Sequence, residues 1–352
     1  APFADPCPAG MPQREYRSAI LQTELTVNRH GWFDPQARIL ALEQDVKDII
    51  DPDTRVKLPE PFFFRANSGD CVIYKLSNLV PNALAVDDFQ VYTPTDTIGQ
   101  HIHLVKFDVT SSDGSGNGWN YEDGSFSPDE VRERVFAHNK AAQAAGKPLL
   151  KFKTHPLFAA ACAAGDTRCE DLKKKGTCPP NAHEMDHKKL AEEHPFCGAQ
   201  RTVQRWWADP TLNTATKKDH TLRTVFTHDH FGPSSHQQHG LYAALVIEPS
   251  NSLWLQLDAD PNNPDRSKLL GGADLAGITP KQKNDTLEPK HLGKPLALRE
   301  DGGPTATRAH IVSPKCIGRT HTSPLNPAWN ATTDDCAKEE DQAAQTTREH
   351  AL

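Results

Sequence analysis

Two histidine pairs carry the clearest chemistry in this 352-residue sequence: His101-Ile102-His103 and His228-Asp229-His230. Side chains at i and i+2 of a β-strand leave the same face, so a pair on a strand projects two imidazoles in one direction, with Cα atoms roughly 7 Å apart. Neutral imidazole is a good ligand for copper, zinc, iron and nickel. One such pair means little in a chain with 17 histidines. Two pairs, each at a strand-like segment, predict four converging imidazoles if the strands lie side by side or face one another. The competing reading is that all four are ordinary satisfied or solvent-facing histidines.

A second arrangement competes for metal. His183-Glu184-Met185-Asp186-His187 satisfies the H-E-x-x-H pattern. On a helix that pattern puts two imidazoles on one face, with the Glu as general base of a zinc metalloprotease. The longer metzincin extension fails, because Leu190 replaces the required Gly and His194 falls one residue late. Lys188, Lys189, Glu192 and Glu193 make the surroundings those of a charged surface loop.

The elements that must position the histidine pairs read as strands. Apolar and polar residues alternate over 19–27, 37–42 and 71–76, and the turn cluster Ala66-Asn67-Ser68-Gly69-Asp70 precedes the last of these. Residues 101–109 form a further strand candidate, as do 221–226, running on to Phe231, and the apolar run 241–248 closed by Pro249. Between them the pattern changes. Residues 111–118 are Gly/Ser/Asp-rich loop, and Ser127-Pro128-Asp129-Glu130 starts a helix that Gly146 stops. Cys162, Cys169, Cys178 and Cys197 then crowd into a Lys/Glu/His-rich segment. They are candidates for disulfides in an oxidising compartment, with three connectivities possible. We read about 110–219 as one insertion, with Trp206-Trp207 anchoring it. Residues 1–58 supply N-terminal strands that fit the edge of a neighbouring domain, and 59–250 the main domain. Residues 251–352 form a polar C-terminal extension, with strand character at 308–312 and a charged end, 334–352, that reads as helical or disordered.

Proline (28) outnumbers glycine (21) among eight cysteines, which fits short strands joined by polar loops. A net charge of -7 argues against nucleic-acid partners. No apolar run approaches the roughly 20 residues of a membrane helix. The opening Ala1-Pro2-Phe3-Ala4 reads as an end left by cleavage of a leader or as a fragment boundary. Asn284 and Asn330 match glycosylation sequons. Asp108, Asp113, Glu122 and Asp123 would offer an acidic path to a cation, though acidic loops are ordinarily just solvated.

Several phrases together resemble the multicopper oxidase family. Ser68-Gly69-Asp70-Cys71-Val72-Ile73-Tyr74, running to Asn78, is similar to the first strand of a cupredoxin domain. His101-Ile102-His103 resembles the first His-x-His segment of that family's first domain. Thr227-His228-Asp229-His230-Phe231, followed by 240–249, resembles its second. The longer phrases at 100–110 and 117–128 look most like the large bacterial multicopper-oxidase-like proteins. The resemblance implies an all-β, cupredoxin-like Greek-key β-sandwich with a long, partly helical, Cys-rich insertion. It implies that His101, His103, His228 and His230 supply half of a type 2/type 3 copper cluster, where dioxygen is reduced at the expense of a reduced metal ion or phenol-like donor. Another cupredoxin domain or subunit supplies the rest, and the setting is periplasmic or extracellular. A type 1 copper is not supported, because Asp229 and Ile102 stand where the family places a cysteine between paired histidines. Leu104 also replaces the family's usual Gly. His236-Gln237-Gln238-His239-Gly240-Leu241 mimics the tail of a type 1 site, so His236 and His239, with Asp229, are expected beside the centre rather than on the metal. A non-catalytic copper-binding module is the alternative function.

Overall fold

The computed structural model describes residues 4–26, 30, 32–59, 61–81, 96–114, 123–215, 219–232, 236–250, 252–255, 308–314 and 344–350. Glu122, both sequons and residues 115–118 of the Gly-rich loop lie outside the described residues.

Eight strands build two four-stranded sheets. The first contains β1 (Gln13–Thr26), β2 (Phe33–Leu42), β4 (Cys71–Asn78) and β6 (Gln200–Trp207), in the order β2-β1-β4-β6. The second contains β3 (Phe63–Asn67), β5 (Gln100–Ile102), β7 (Arg223–Asp229) and β8 (Tyr242–Glu248), in the order β3-β8-β7-β5. Each sheet holds one parallel pair, β1 with β4 and β3 with β8, among antiparallel neighbours. Alternate residues of both sheets turn inward to one core. Tyr16, Ile20, Val72, Tyr74 and Trp206 from the first meet Phe64, Ile102, Val225, Leu245 and Ile247 from the second. The protein is therefore a β-sandwich with helical segments added. Phe64 sits edge-on to Tyr16, Tyr74 and Trp206 at 4.8–5.4 Å between ring centroids, which ties the sheets together at their aromatic centre.

Three sequence expectations change. β6 lies inside the stretch read as insertion, and Trp206 is a core residue of the sandwich rather than an anchor for it. Its strand is only eight residues long and borders helical, charged sequence, so its alternation is easily overlooked. The first histidine strand stops at Ile102, because Leu104 adopts φ 63° and turns the chain out of the sheet. The charged C-terminal end contains strand β11 (Ala344–His350), which pairs with β10 (Arg308–Pro314). β10 pairs in turn with β9 (Leu253–Leu255) to form a third sheet. Composition alone does not reveal such pairing, which depends on a partner strand.

Helices cover the β1–β2 side of the first sheet's outer face. The segment between β5 and β6 carries α2 (Pro128–Ala144), α3 (Pro156–Ala159), α4 (Thr167–Gly176) and α5 (His187–Glu193), and the short α1 (Val46–Ile49) follows β2. Ser127 caps α2 by accepting the Glu130 N–H at 3.1 Å, and Gly146 ends it at φ +64°. Phe158 and Leu172 pack on Ala19, Leu21, Ala37 and Ile39, the outward residues of β1 and β2. The fit is close: a Cβ on Gly176 would lie 2.1 Å from the Phe158 ring. Lys47–Asp166 and Arg168–Asp48 ion pairs join α1 to α4. Disulfides Cys162–Cys169 and Cys178–Cys197 staple this cover, and Cys7–Cys71, 64 residues apart and not foreseen, ties the N-terminal segment to β4. Among the described residues no helix is long and apolar enough to cross a membrane.

Candidate metal centre

β5 is the edge strand of the second sheet, and its antiparallel register with β7 assembles the histidines. Gln100 pairs with Asp229, His101 with His228 and Ile102 with Thr227. Gln100, Ile102, Thr227 and Asp229 are buried toward the core. The alternation therefore sends His101, His103, His228 and His230 to the outer face. His101 and His228 stand directly opposite, His103 N donates to Phe226 O at 3.1 Å, and His230 N donates to Gly99 O at 2.8 Å. The four rings meet: centroids lie 4.5 Å apart for His101–His230, 4.8 Å for His101–His103, 5.1 Å for His103–His228 and 5.5 Å for His101–His228. His228 is buried, His101 largely so, and His103 and His230 are open to solvent.

Ligand atoms of His101, His103 and His228 all lie within 4.8 Å of one another. Their ring protons are fixed in part by the backbone. His101 Nδ1 lies 2.6 Å from the main-chain oxygen of Asp113 and His228 Nδ1 lies 2.7 Å from that of Asp229. A carbonyl only accepts, so the His101 Nδ1 donates and leaves its Nε2 lone pair free, the arrangement that orients metal-binding histidines, whereas the His228 Nδ1 also faces the Gln237 amide nitrogen at 2.8 Å. His103 Nε2 and His228 Nε2 are 3.0 Å apart. Two bare lone pairs repel at that distance, so a shared proton or a cation satisfies them. Partial desolvation of the ring, then the neighbouring His101, His228 and His230, hold the His103 pKa below the usual imidazole value, which keeps its lone pair available at neutral pH. The donor chemistry thus fits a metal ion of the imidazole-binding class.

A second group was not singled out from sequence as a ligand set. His101, Asp113 and His230 also bring ligand atoms within 4.8 Å. Asp113 reaches the site because two glycines let its loop lie on the edge strand. A Cβ on Gly99 would stand 1.9 Å from Gly114 O, and one on Gly114 (φ +79°) 2.3 Å from the Gln100 carbonyl. Gly114 N donates to the buried Asp123 carboxylate at 2.6 Å. Asp123 therefore holds the loop from within, and Asp108 accepts from Ser111 Oγ at 2.8 Å. Asp123 is thus buried, while Asp108 and Asp113 are partly exposed.

The flanking residues do other work. The Asp229 carboxylate is fully buried and accepts from Gly99 N at 3.0 Å, Phe231 N at 3.1 Å, Gly232 N at 2.8 Å and His236 Nδ1 at 2.7 Å. His236 in turn faces Arg38 Nη1 at 3.2 Å through Nε2. Guanidinium only donates, so Nε2 accepts and Nδ1 carries the proton to Asp229. Burial lowers the Arg38 pKa to about 10, against the opposing pull of Asp96 and Asp229. This buried Arg38–His236–Asp229 chain fixes the backbone around the second histidine pair. His239 turns to Asp34 at 2.6 Å, away from the four rings. Gln237 Nε2 lies 2.8 Å from His228 Nδ1 and donates to Asp229 O at 3.1 Å.

The H-E-x-x-H pattern is broken. His183 and Glu184 sit in a 3-10 turn, Met185 is extended, and Asp186 caps the separate helix α5. The two histidines therefore do not share one helical face, and the pattern does not form a zincin site.

No family model matches this sequence, and no curated protein matches it. Among solved structures the chain is similar to a copper nitrite reductase from Nitrosomonas europaea, at 11% identity over 72% of this chain and 45% of that one, with a TM-score of 0.27. It is also similar to the multicopper oxidase mgLAC, at 11% identity over 67% of this chain and 39% of that one, with a TM-score of 0.26. The chain spans less than half the length of either protein.

Proposed function

We propose that this chain is a copper-binding, cupredoxin-type domain or subunit of a multicopper oxidase. The observation that carries the proposal is the convergence of four imidazoles from β5 and β7 on one open face. His101, His103 and His228 hold copper through nitrogen, and His230 serves a neighbouring position of the same type 2/type 3 cluster. Bound copper would supply dioxygen reduction coupled to oxidation of a reduced metal ion or phenol-like donor. The chain's own residues orient the rings: the Asp113 carbonyl sets the His101 proton, the Asp229 carbonyl and the Gln237 amide flank His228 Nδ1, and the Arg38–His236–Asp229 chain holds the backbone beneath them.

The centre is completed by another cupredoxin domain or subunit. Among the described residues around the rings, Leu104 is 69%, Tyr242 55% and Phe226 45% exposed. Patches of this kind mark interaction surfaces. A type 1 copper belongs to that partner, because Asp229 is consumed in hydrogen bonds and every cysteine among the described residues is in a disulfide. We take the functional unit to run from β1 to β8, wider than 59–250, since β1 and β2 complete the first sheet. Three disulfides support a periplasmic or extracellular setting.

Copper analysis, EPR for a type 2 signal, and oxygen uptake with a donor test this reading. Failure to retain copper after reconstitution ends it. A non-catalytic copper-binding module is favoured instead by the openness of His103 and His230. It predicts bound copper with no oxygen consumption, with or without a partner chain.

A further inference from the structure

We propose that Gln237 sets the metal affinity of the centre, as a positioning residue that holds His228 between its two neutral tautomers. The His228 ring is buried, and its Nδ1 meets two groups that ask opposite things of it. The Asp229 main-chain oxygen, 2.7 Å away, only accepts and favours a proton on Nδ1. The Gln237 amide nitrogen, 2.8 Å away, only donates and favours a bare lone pair there. Turning the amide over does not relieve the conflict. The same Gln237 atom lies 3.1 Å from the Asp229 oxygen, and an amide oxygen placed there would set two acceptors against each other.

The far side of the ring is coupled to this choice, because a neutral imidazole carries one proton. With the proton on Nδ1, Nε2 offers its lone pair outward, as a metal requires. With the proton on Nε2, His228 donates to His103 Nε2 at 3.0 Å and accepts from Gln237 at Nδ1. Neither Nε2 lone pair is then open. Passing from this closed form to the first takes one proton from Nε2 and places one on Nδ1, with the charge of the ring unchanged. Each form leaves one of the two Nδ1 contacts opposed, so the two lie close in energy. Gln237 weights the balance toward the closed form, and the Asp229 carbonyl weights it toward metal. Such outer partners of a ligating histidine change metal affinity by roughly 10–100-fold. This inference rests on the copper reading only in taking His228 as a ligand through Nε2.

The test uses Zn2+, a diamagnetic ion of the imidazole-binding class, as probe on the full chain labelled with 15N in histidine. In the metal-free wild type the two His228 nitrogen shifts are averaged between protonated and bare values. Gln237→Leu removes the opposing donor, and Gln237→Glu replaces it with an acceptor. Both move His228 to the Nδ1-protonated pattern and tighten Zn2+, by roughly threefold for Leu and roughly tenfold or more for Glu. The Leu variant carries no charge, so its gain does not come from attraction between a carboxylate and the ion. Weaker Zn2+ binding in both variants, the mark of a packing role alone, overturns the inference. So does a wild-type ring already fully protonated on Nδ1. Tautomers and Zn2+ affinity that shift as stated in a chain that never retains copper sink the oxidase reading and leave the role of Gln237 standing.

Discussion

The two sheets of the sandwich differ in what lies on their outer faces. The first is roofed by helices: Phe158 and Leu172 bury the outward side of β1 and β2, so those strands are apolar on both sides. On the second, Arg65, Asn67 and Val246 are buried on the β3–β8 side, while the β5–β7 edge carries the four histidines with Phe226 and Tyr242 exposed beside them. A strand covered on both faces spends its side chains on packing. A strand covered on one face is free to present chemistry on the other. The same alternation that makes β1 an interior strand gives β5 and β7 a surface of four imidazoles.

Substitutions on each side should separate the two roles. Phe158→Ala on the roofed face should cost about 3–5 kcal/mol of unfolding free energy, read by denaturant titration, with copper affinity of the folded chain unchanged. His228→Ala on the β5–β7 edge should lower copper affinity by roughly a hundredfold or more, read by competition with a chelator, and shift the thermal midpoint little. Equal effects of both changes on copper would erase the distinction. A pH dependence sharpens it further. His155, at the seam between roof and first sheet, is buried and close to Arg201, and its pKa is lowered to about 4. Its ring faces Ser77 Oγ at 3.3 Å and caps α3 through Leu157 N at 3.1 Å. Between an unfolded pKa near 6.5 and the folded value, the unfolded chain takes up a proton that the folded chain refuses. Stability should therefore fall as pH drops through that window, by up to about 1.4 kcal/mol per pH unit. His155→Asn, which retains a capping side chain, should flatten the slope, and an unchanged slope would assign it to other groups. The smallest effect belongs to Leu104, exposed and held at φ 63° where glycine is at ease. Leu104→Gly should gain about 0.5 kcal/mol, the relief of left-handed strain exceeding the added freedom of the unfolded chain. Its denaturation midpoint reads the sign.

The histidine pairs were legible because a period of two survives any change of neighbours. His101 and His228 needed only adjacent strands to meet. Asp113 was legible only as one of four acidic loop residues, because nothing in a Gly/Ser/Asp loop says which carboxylate will lie against a strand edge. That proximity comes from the Gly99–Gly114 backbone contact. β6 and β11 were hidden for a related reason: short or charged strands are defined by the partner they pair with. The H-E-x-x-H pattern showed the opposite failure. Its spacing is meaningful only on an unbroken helix, and Met185 and Asp186 interrupt it. The Cys-rich segment revealed its purpose but not its connectivity, and Cys7 gave no local sign of pairing with Cys71.

The pairing of β3 with β8 and of β5 with β7 has a consequence for biogenesis. His103 and His228 are 125 residues apart in the chain, and Phe64 must find Leu245 before the sheet between them closes. Contacts of such long range form slowly, and only after the intervening chain exists. A nascent chain emptied of everything beyond β6 would display His101 and His103 on an unpaired edge, with no second pair to answer them. On the copper reading, metal loading belongs to the last stage of folding, and a cell that supplied copper earlier would meet loose histidines rather than a site.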